Sequence, residues 1–384
     1  MEVKTQGFKR TAAATMADPR LQGALDGVYT RFHLGRIAAA AATDRWEEQR
    51  EQGRAIKAHV IENLDRYLDM LATNVEKNGG RVFFAETVAE ANRYVADLAK
   101  ARGVKTVIKG KSMVSEEMGL NRVLENEGIE PVETDLGEYI IQLAGETPYH
   151  IIAPAIHKTK EQVADLLAPR SGGKRAEGAE GLTRQARDQL RPVFERAGMG
   201  ITGVNFAVAE SGSIVIVTNE GNGRMATSAP RIHVACMGME KVIPSVRDLS
   251  LFLRILIRSA TGQRITSYVS MVSGPRKPGD EDGPEEFHLV IVDNGRRNLL
   301  ADPALREALR CIRCGACANA CPVYRKVGGH AYGWVYSGPI GAVVTPAMTG
   351  LKQARDLPFA SSLCGACRDV CPVKIDLPRM LLEL

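Results

Sequence analysis

Eight cysteines occur in the 384-residue chain, and seven of them lie between residues 311 and 371. The stretch CIRCGACANACP supplies Cys311, Cys314, Cys317 and Cys321, followed by Pro322. Thiolates two residues apart wrap one loop around three corners of a cubane, and the proline fixes φ and removes an amide donor, which turns the chain away. This is the C-x2-C-x2-C-x3-C-P run of two-cluster ferredoxins, whose fourth cysteine ligates the other cluster. A second stretch, SSLCGACRDVCP, supplies Cys364, Cys367, Cys371 and Pro372, with Ser361 where a first cysteine would stand. By the crossover rule, cluster one takes Cys311, Cys314, Cys317 and Cys371, and cluster two takes Cys321, Cys364 and Cys367. The three-thiolate set leaves three readings open: a serine oxygen ligand at Ser361, a non-protein ligand, or a three-iron cluster. Zinc ribbons use paired C-x2-C and have no need of a third cysteine or a proline after each set, so iron–sulfur is expected over zinc. Cys236, inside HVACMGM, is expected to be a small buried hydrophobe and not a ligand.

A second group of polar residues follows apolar runs, where open α/β sheets bind ligands. IKGKSMVSEE brings Lys109 and Lys111 near a helix start, and TNEGNGRM brings Glu220 and Arg224 onto a turn. Lys109, Lys111, Glu220 and Arg224 are therefore the candidate cleft, with the cations as carboxylate holders. ETDLGEY adds Glu133, Asp135 and Glu138, and Glu210 is a carboxylate with no local support for activation. The chain shows no phosphate-binding P-loop, dinucleotide glycine fingerprint, zinc-protease motif or nucleophile elbow.

These groups need elements to hold them. Residues 12–78 carry apolar positions at helical spacing, closed by Gly79-Gly80. Beyond them, RVFFAE, TVIKG, YHIIAP, NFAVAES, SIVIVTN, RIHVACMG, ITSYVSMVSG and FHLVIVD predict strands, with helices over 87–102, 115–126, 159–167 and 244–259 between several of them. This alternation predicts an α/β domain on a largely parallel sheet, with 205–210 and 213–219 as an antiparallel hairpin. The polar segment 168–181 reads as a surface loop. The boundaries expected are 1–60 for an N-terminal helical segment, 61–300 for the α/β domain and 301–384 for a mostly helical two-cluster module. The long Gly- and aromatic-rich connection between the cysteine motifs is expected to pack over the clusters. Its alternative role is a docking surface with Trp334 and Tyr336 exposed, and His330 could reach a cluster sulfur.

Composition sets outer limits. Charged residues are 25% and apolar residues 45%, as in ordinary globular proteins, and the net charge of +5 is dispersed, which argues against nucleic acid as partner. No apolar run approaches the ~20 residues that cross a bilayer, and the N-terminus lacks a secretory pattern, so a cytoplasmic location is expected, with peripheral docking at the inner face of a membrane left open. Cysteines clustered in a reducing compartment favour metal over disulfides.

The strings KGKSMVSEEMGLN, ETDLGEYIIQLAGETPYHIIAPAIHKT, TGVNFAVAESGSIVIVTNEGNGRM, RSATGQ and CGACRDVCPVKIDLP closely resemble the lactate-utilisation protein B family, from about residue 60 onward. The resemblance implies a LUD domain, similar to the NagB/RpiA/CoA-transferase group, followed by a ferredoxin-type module with two 4Fe-4S clusters on the seven cysteines named above. It implies a cysteine-rich subunit and a second LUD-domain subunit as partners, and a role carrying electrons while L-lactate becomes pyruvate, not catalysis by this chain alone. The alternatives are a small-carboxylate-binding enzyme or a CoA-transferase-like enzyme using the LUD cleft. Family members continue past the second cysteine motif, whereas this chain ends at PRMLLEL; a sequence that stops short and a shorter variant lacking a C-terminal partner-binding segment both fit.

Overall fold

The computed structural model describes residues 2–384. Ten strands form two sheets: β1 Arg81–Ala85, β2 Thr106–Lys109, β3 Glu130–Glu133, β4 Met199–Gly203, β5 Phe206–Val208, β6 Ser213–Thr218, β7 Ile232–Gly238, β8 Val242–Ile243, β9 Tyr268–Val272 and β10 Glu286–Val292. The larger sheet is wholly parallel, in the order β1-β10-β7-β4-β2-β3. β7 is buried along its entire length, as expected of a parallel strand covered on both faces. The smaller sheet runs β8-β5-β6-β9, with the expected β5–β6 hairpin antiparallel.

Helices between the strands start where side chains satisfy free amides. Thr87, Ser112, Asp135, Thr159 and Ser245 each accept from backbone N–H groups one turn on, and Thr159 forms a full capping box with Gln162. Three strands escaped the sequence reading. β3 contains Pro131, which is tolerated because β3 is an edge strand. β4 reads MGITG because the helix Asn222–Ser228 crosses it closely, and β8 is only two residues long. Conversely, the YHIIAP segment is not a strand; it forms bends and a turn closed by Tyr149 N–H donating to Pro154 O, and its side chains are used elsewhere. The 168–181 segment is a short 3-10 turn followed by exposed loop, with a helix starting at Gly178.

The N-terminal helices do not stand apart. Lys4 N–H donates to Gly333 O, Gln22 to Lys326 O, and Arg325 pairs with Asp26 at 2.6 Å. Ala12, Leu25 and Trp46 join a single apolar core with residues of the C-terminal module and with Phe206 and Phe252 of the α/β domain. The helical run through Tyr29–Leu34 widens to a π-turn. The C-terminal module itself is a set of short helices, the longest being Gly338–Thr349.

One close approach in the large sheet is testable. A Cβ on Gly200 would lie 1.9 Å from the carbonyl oxygen of Ala226. Gly200→Ala is expected to lower unfolding stability by roughly 3 kcal/mol, at the upper end of overpacking costs, as read from urea denaturation.

Candidate iron–sulfur centre and adjoining cavity

None of the eight cysteines is paired in a disulfide. Cys311, Cys314, Cys317 and Cys371 line one small cavity with Ile151, Ile340, Ile375 and Leu377, and none of Cys321, Cys364 or Cys367 shares it. Electrostatics divides the thiols in the same way. Burial pushes Cys314 up to about 12, with Cys371 and Cys311 adding to it, and burial with Cys311 pushes Cys371 up to about 11. Burial pushes Cys367 up to about 12, with Cys321 next, whereas Cys364, the exposed one, is lowered by the Ala366 amide and the Ser362 hydroxyl. The two sets touch where Cys317 feels Cys367.

Several features fit a metal–sulfur group in these positions. Arg313 N–H donates to Cys311 Sγ and Tyr324 N–H to Cys321 Sγ, both at 3.4 Å. The Tyr332 hydroxyl is buried without a hydrogen-bond partner, close enough to Cys321, Cys317 and Cys367 to feel their charge.

Buried cations gather around the first set only. Arg50 donates to Cys371 O at 2.8 and 3.0 Å, and Arg36 donates to Val370 O at 2.7 Å. Lys57 and Lys241 are each held down at about 8 by burial, against the pull of Glu240, and both feel Cys311, as does Arg313. None of Arg36, Arg50, Lys57 and Lys241 is marked by any motif; a lone cation in a helical or strand pattern carries no signal of this use.

The module is locked to the α/β domain by a buried ionic network. Arg296 donates to Glu117 Oε1 and Oε2 at 2.9 and 2.8 Å, to Glu240 Oε2 at 2.8 Å and to the Tyr336 hydroxyl at 3.1 Å. Tyr336 in turn donates to Glu117, and the Arg313 guanidinium lies over its ring, 4.3 Å from the centroid. Burial opposes the charge on Glu240, but Arg296 and Arg313 hold it down at about 2. Trp334 and Tyr336 are thus buried, as the packing role expects, and not an exposed docking surface. His330 donates to, or is bridged with, no sulfur: its Nε2 meets Thr147 O at 2.7 Å.

A cavity of about 340 Å³ opens at the C-terminal ends of β2, β4 and β7. Lys111, Asp135, Asn219, Glu220, Lys241, Arg313 and Tyr336 are among its polar walls. Of the four cleft candidates, Lys111 and Glu220 line it. Lys109 and Arg224 do not: Lys109 is fully buried behind it, bonded to Glu133, Asn121 and Glu116, and Arg224 lies off the wall. Lys111 donates to Ile152 O at 2.7 Å, and Glu220 is raised by burial, with Asp135 next. Glu138, in a neighbouring pocket with Lys111 and His150, is pushed up to about 8 by burial. Glu210 accepts from Val246 N–H and has no other catalytic company. Cys236 is wholly buried, pushed up to about 12 by burial, and it contributes to this cavity's wall, which none of the other cysteines lines. Arg313 and Ile151 line both this cavity and the cysteine cavity, so one wall divides them.

The fold and site define an iron–sulfur protein: a LUD domain matches residues 68–292 and a 4Fe-4S dicluster domain matches residues 307–375. Lactate utilization protein B of Bacillus licheniformis is 50% identical over 384 residues, covering 100% of this chain and 80% of that protein. The proteins of the same description from Bacillus subtilis and a Geobacillus species are 49% and 48% identical, over 100% of this chain and 80% and 81% of theirs. The chain belongs to the lactate utilization protein B family. Among solved structures, a DUF162 family protein from Deinococcus radiodurans aligns with 60% of this chain and 98% of its own at 12% identity, with a TM-score of 0.32.

Two predictions follow from the interface. Arg296→Met removes the guanidinium that both buried carboxylates share, leaving Glu117 with the Tyr336 hydroxyl and the Asn294 amide and Glu240 with Arg313, and is expected to cost roughly 3–5 kcal/mol in urea unfolding. His150 ties the LUD loop to the module: its Nε2 meets Asn319 Oδ1 at 2.7 Å while Nδ1 accepts from Ile152 and Ala153 amides. Burial pushes His150 down to about 4. An unfolded imidazole titrates near about 6.5, so this lowered group contributes stability above that pH and loses it as pH falls toward the folded value. Stability of the His150→Gln variant is therefore expected to decline less steeply than wild type between about pH 7 and pH 5.

Proposed function

We propose that this chain is the iron–sulfur electron-transfer subunit of a system oxidising L-lactate to pyruvate, and is not catalytic alone. The observation that carries it is the division of seven cysteines into four that line one cavity and three that do not, one of these exposed, inside a chain whose relatives are named for lactate utilisation. Cys311, Cys314, Cys317 and Cys371 would hold one cluster, and Cys321, Cys364 and Cys367 the other. Bound four-iron clusters supply one-electron carriers, with potentials set by charge, hydrogen bonds and exposure. The chain's own contribution is placement and screening. Arg36, Arg50 and Arg313 put positive charge beside the first set, Ile151 and Ile340 keep water off it, and Cys364 reaches the surface. The partners in this reading are a cysteine-rich subunit and a second LUD-domain subunit, in the cytoplasm or at the inner face of a membrane. No helix among the described residues is long and apolar enough to cross a membrane.

Phe359 is 85% exposed and Leu363 47%, both close in sequence to Cys364, which makes this edge the reading's site of electron exchange. A second reading, that the LUD cavity holds a small carboxylate, is favoured by one observation: Arg313 forms its wall on the side of the first cysteine set.

Protein purified anaerobically and mixed with L-lactate is expected to stay brown alone and to bleach when the partner subunits are added. Bleaching of the isolated chain by lactate would remove the pure-carrier reading. Phe359→Asp is expected to slow lactate-driven bleaching by roughly tenfold, equal to about 1.4 kcal/mol, with absorbance and iron content unchanged. Titration of the reduced chain with pyruvate tests the second reading, which falls if the paramagnetic resonance of the first cluster does not move.

A further inference from the structure

We propose that Ser361 Oγ is the fourth protein ligand of the second cluster. This rests on the reading that the seven cysteines hold two clusters, and it fills the one corner that reading leaves open.

The two cysteine stretches are copies at a constant offset of 50 residues: Cys314 matches Cys364, Cys317 matches Cys367, Cys321 matches Cys371, Pro322 matches Pro372, and Cys311 matches Ser361. The backbone repeats as well. Arg313 and Leu363 both hold positive φ, at 59° and 53°, and Gly315 and Gly365 follow at 75° and 84°. Each turn then enters a short helix, Ala316–Ala320 in one copy and Ala366–Asp369 in the other. A left-handed conformation is uncommon for arginine or leucine and carries a cost, so its appearance twice at matched positions points to a shared constraint.

The constraint is visible at the first residue of each copy. Arg313 N–H donates to Cys311 Sγ at 3.4 Å; at the matched position Leu363 N–H donates to Ser361 Oγ at 3.0 Å. The oxygen therefore sits where the sulfur sits in the other copy, on the same amide and the same turn. A serine turn alone accounts for the hydrogen bond, but not for the positive φ at Leu363 or the match to the first copy. Exchanging the copies carries the first set, Cys311, Cys314, Cys317 and Cys371, onto position 361 with Cys364, Cys367 and Cys321. Those last three are the thiols that do not line the first set's cavity.

The chemistry balances. An iron–oxygen bond forms as the Ser361 O–H bond breaks, the proton passing to solvent at this half-buried position. The serine alkoxide thus takes the place that a cysteine thiolate takes in the first copy, with no change in oxidation state. The Leu363 amide stabilises the alkoxide as the Arg313 amide stabilises the thiolate. Neither a vacant corner nor a non-protein ligand is needed.

The test uses the intact chain loaded with clusters anaerobically, and reads iron directly. Mössbauer spectra of the wild type are expected to show two four-iron clusters with one iron of oxygen-ligated character. Ser361→Cys is expected to convert that iron to thiolate character and shift the reduction potential of one cluster only. Ser361→Ala is expected to lose one iron from the same cluster, giving an oxidised-state paramagnetic signal. A wild-type spectrum with a three-iron cluster, or an oxygen-ligated iron that persists in Ser361→Ala, would overturn the assignment while leaving the two-cluster reading intact. Disturbance of both clusters by Ser361→Cys, or no assembly of two clusters in the wild type, would remove the two-cluster ligand reading itself.

Discussion

Arg296 is the constraint on which the rest of the structure depends. Its guanidinium has no solvent exposure, yet it satisfies Glu117 from the α/β domain, Glu240 at the end of β7 and Tyr336 from the C-terminal module. Burying one guanidinium and two carboxylates is unfavourable unless each is paired and hydrogen-bonded. The pairing exists only when the LUD sheet, the Gly295-led helix and the 336 segment are all in place. An apolar contact would tolerate sliding between the domains; a forked guanidinium with three fixed partners does not. The network therefore sets the position of Arg313, and through it the wall between the cysteine cavity and the LUD cavity.

From that fixed joint the N-terminal helices become intelligible. They resemble an independent segment when only apolar spacing is considered. In the structure Arg36 and Arg50 reach from two of these helices to carbonyls next to Cys371, and Trp46 fills the core that the module shares with Phe252. A small cysteine-rich module has little apolar material of its own. Here it borrows a core from the first sixty residues and from the long helix Val246–Thr261.

What was legible in the sequence follows the range of the interactions. Spacing within twelve residues revealed both cysteine motifs, and local periodicity revealed most strands and helices. YHIIAP misleads because β-rich composition reports burial of side chains on a surface, and this segment buries them as a clasp with His150 on Asn319. β3 and β4 were hidden by Pro131 and Gly200, residues that weaken strand propensity but suit an edge and a close helix crossing. Lys109 and Arg224 shared the local look of Lys111 and Glu220, and only tertiary packing separates a lysine sealed against Glu133 from one on a cavity wall. The buried cations near Cys371 and Cys311 had no local signature at all.

Those cations make the two cysteine sets unequal in a way that motif reading treats as equal. Arg36, Arg50, Lys57, Lys241 and Arg313 surround the first set, while Cys364 of the second meets solvent and is lowered by the Ala366 amide and the Ser362 hydroxyl. Uncompensated buried cations are costly; Glu47 pairs with Arg50 at 2.6 Å, and Glu240 with Glu117 offsets only part of the rest, since Arg296 also draws on both. Four thiolates bound to metal would place negative charge at the centre of the cation shell, so filling the first set would favour packing of the N-terminal helices over it. The second set has no such shell. Its contacts are short-range instead: the Tyr324 amide donates to Cys321 Sγ and the Leu363 amide to Ser361 Oγ, beside an exposed Cys364, so this end of the module depends less on charge brought in by other elements.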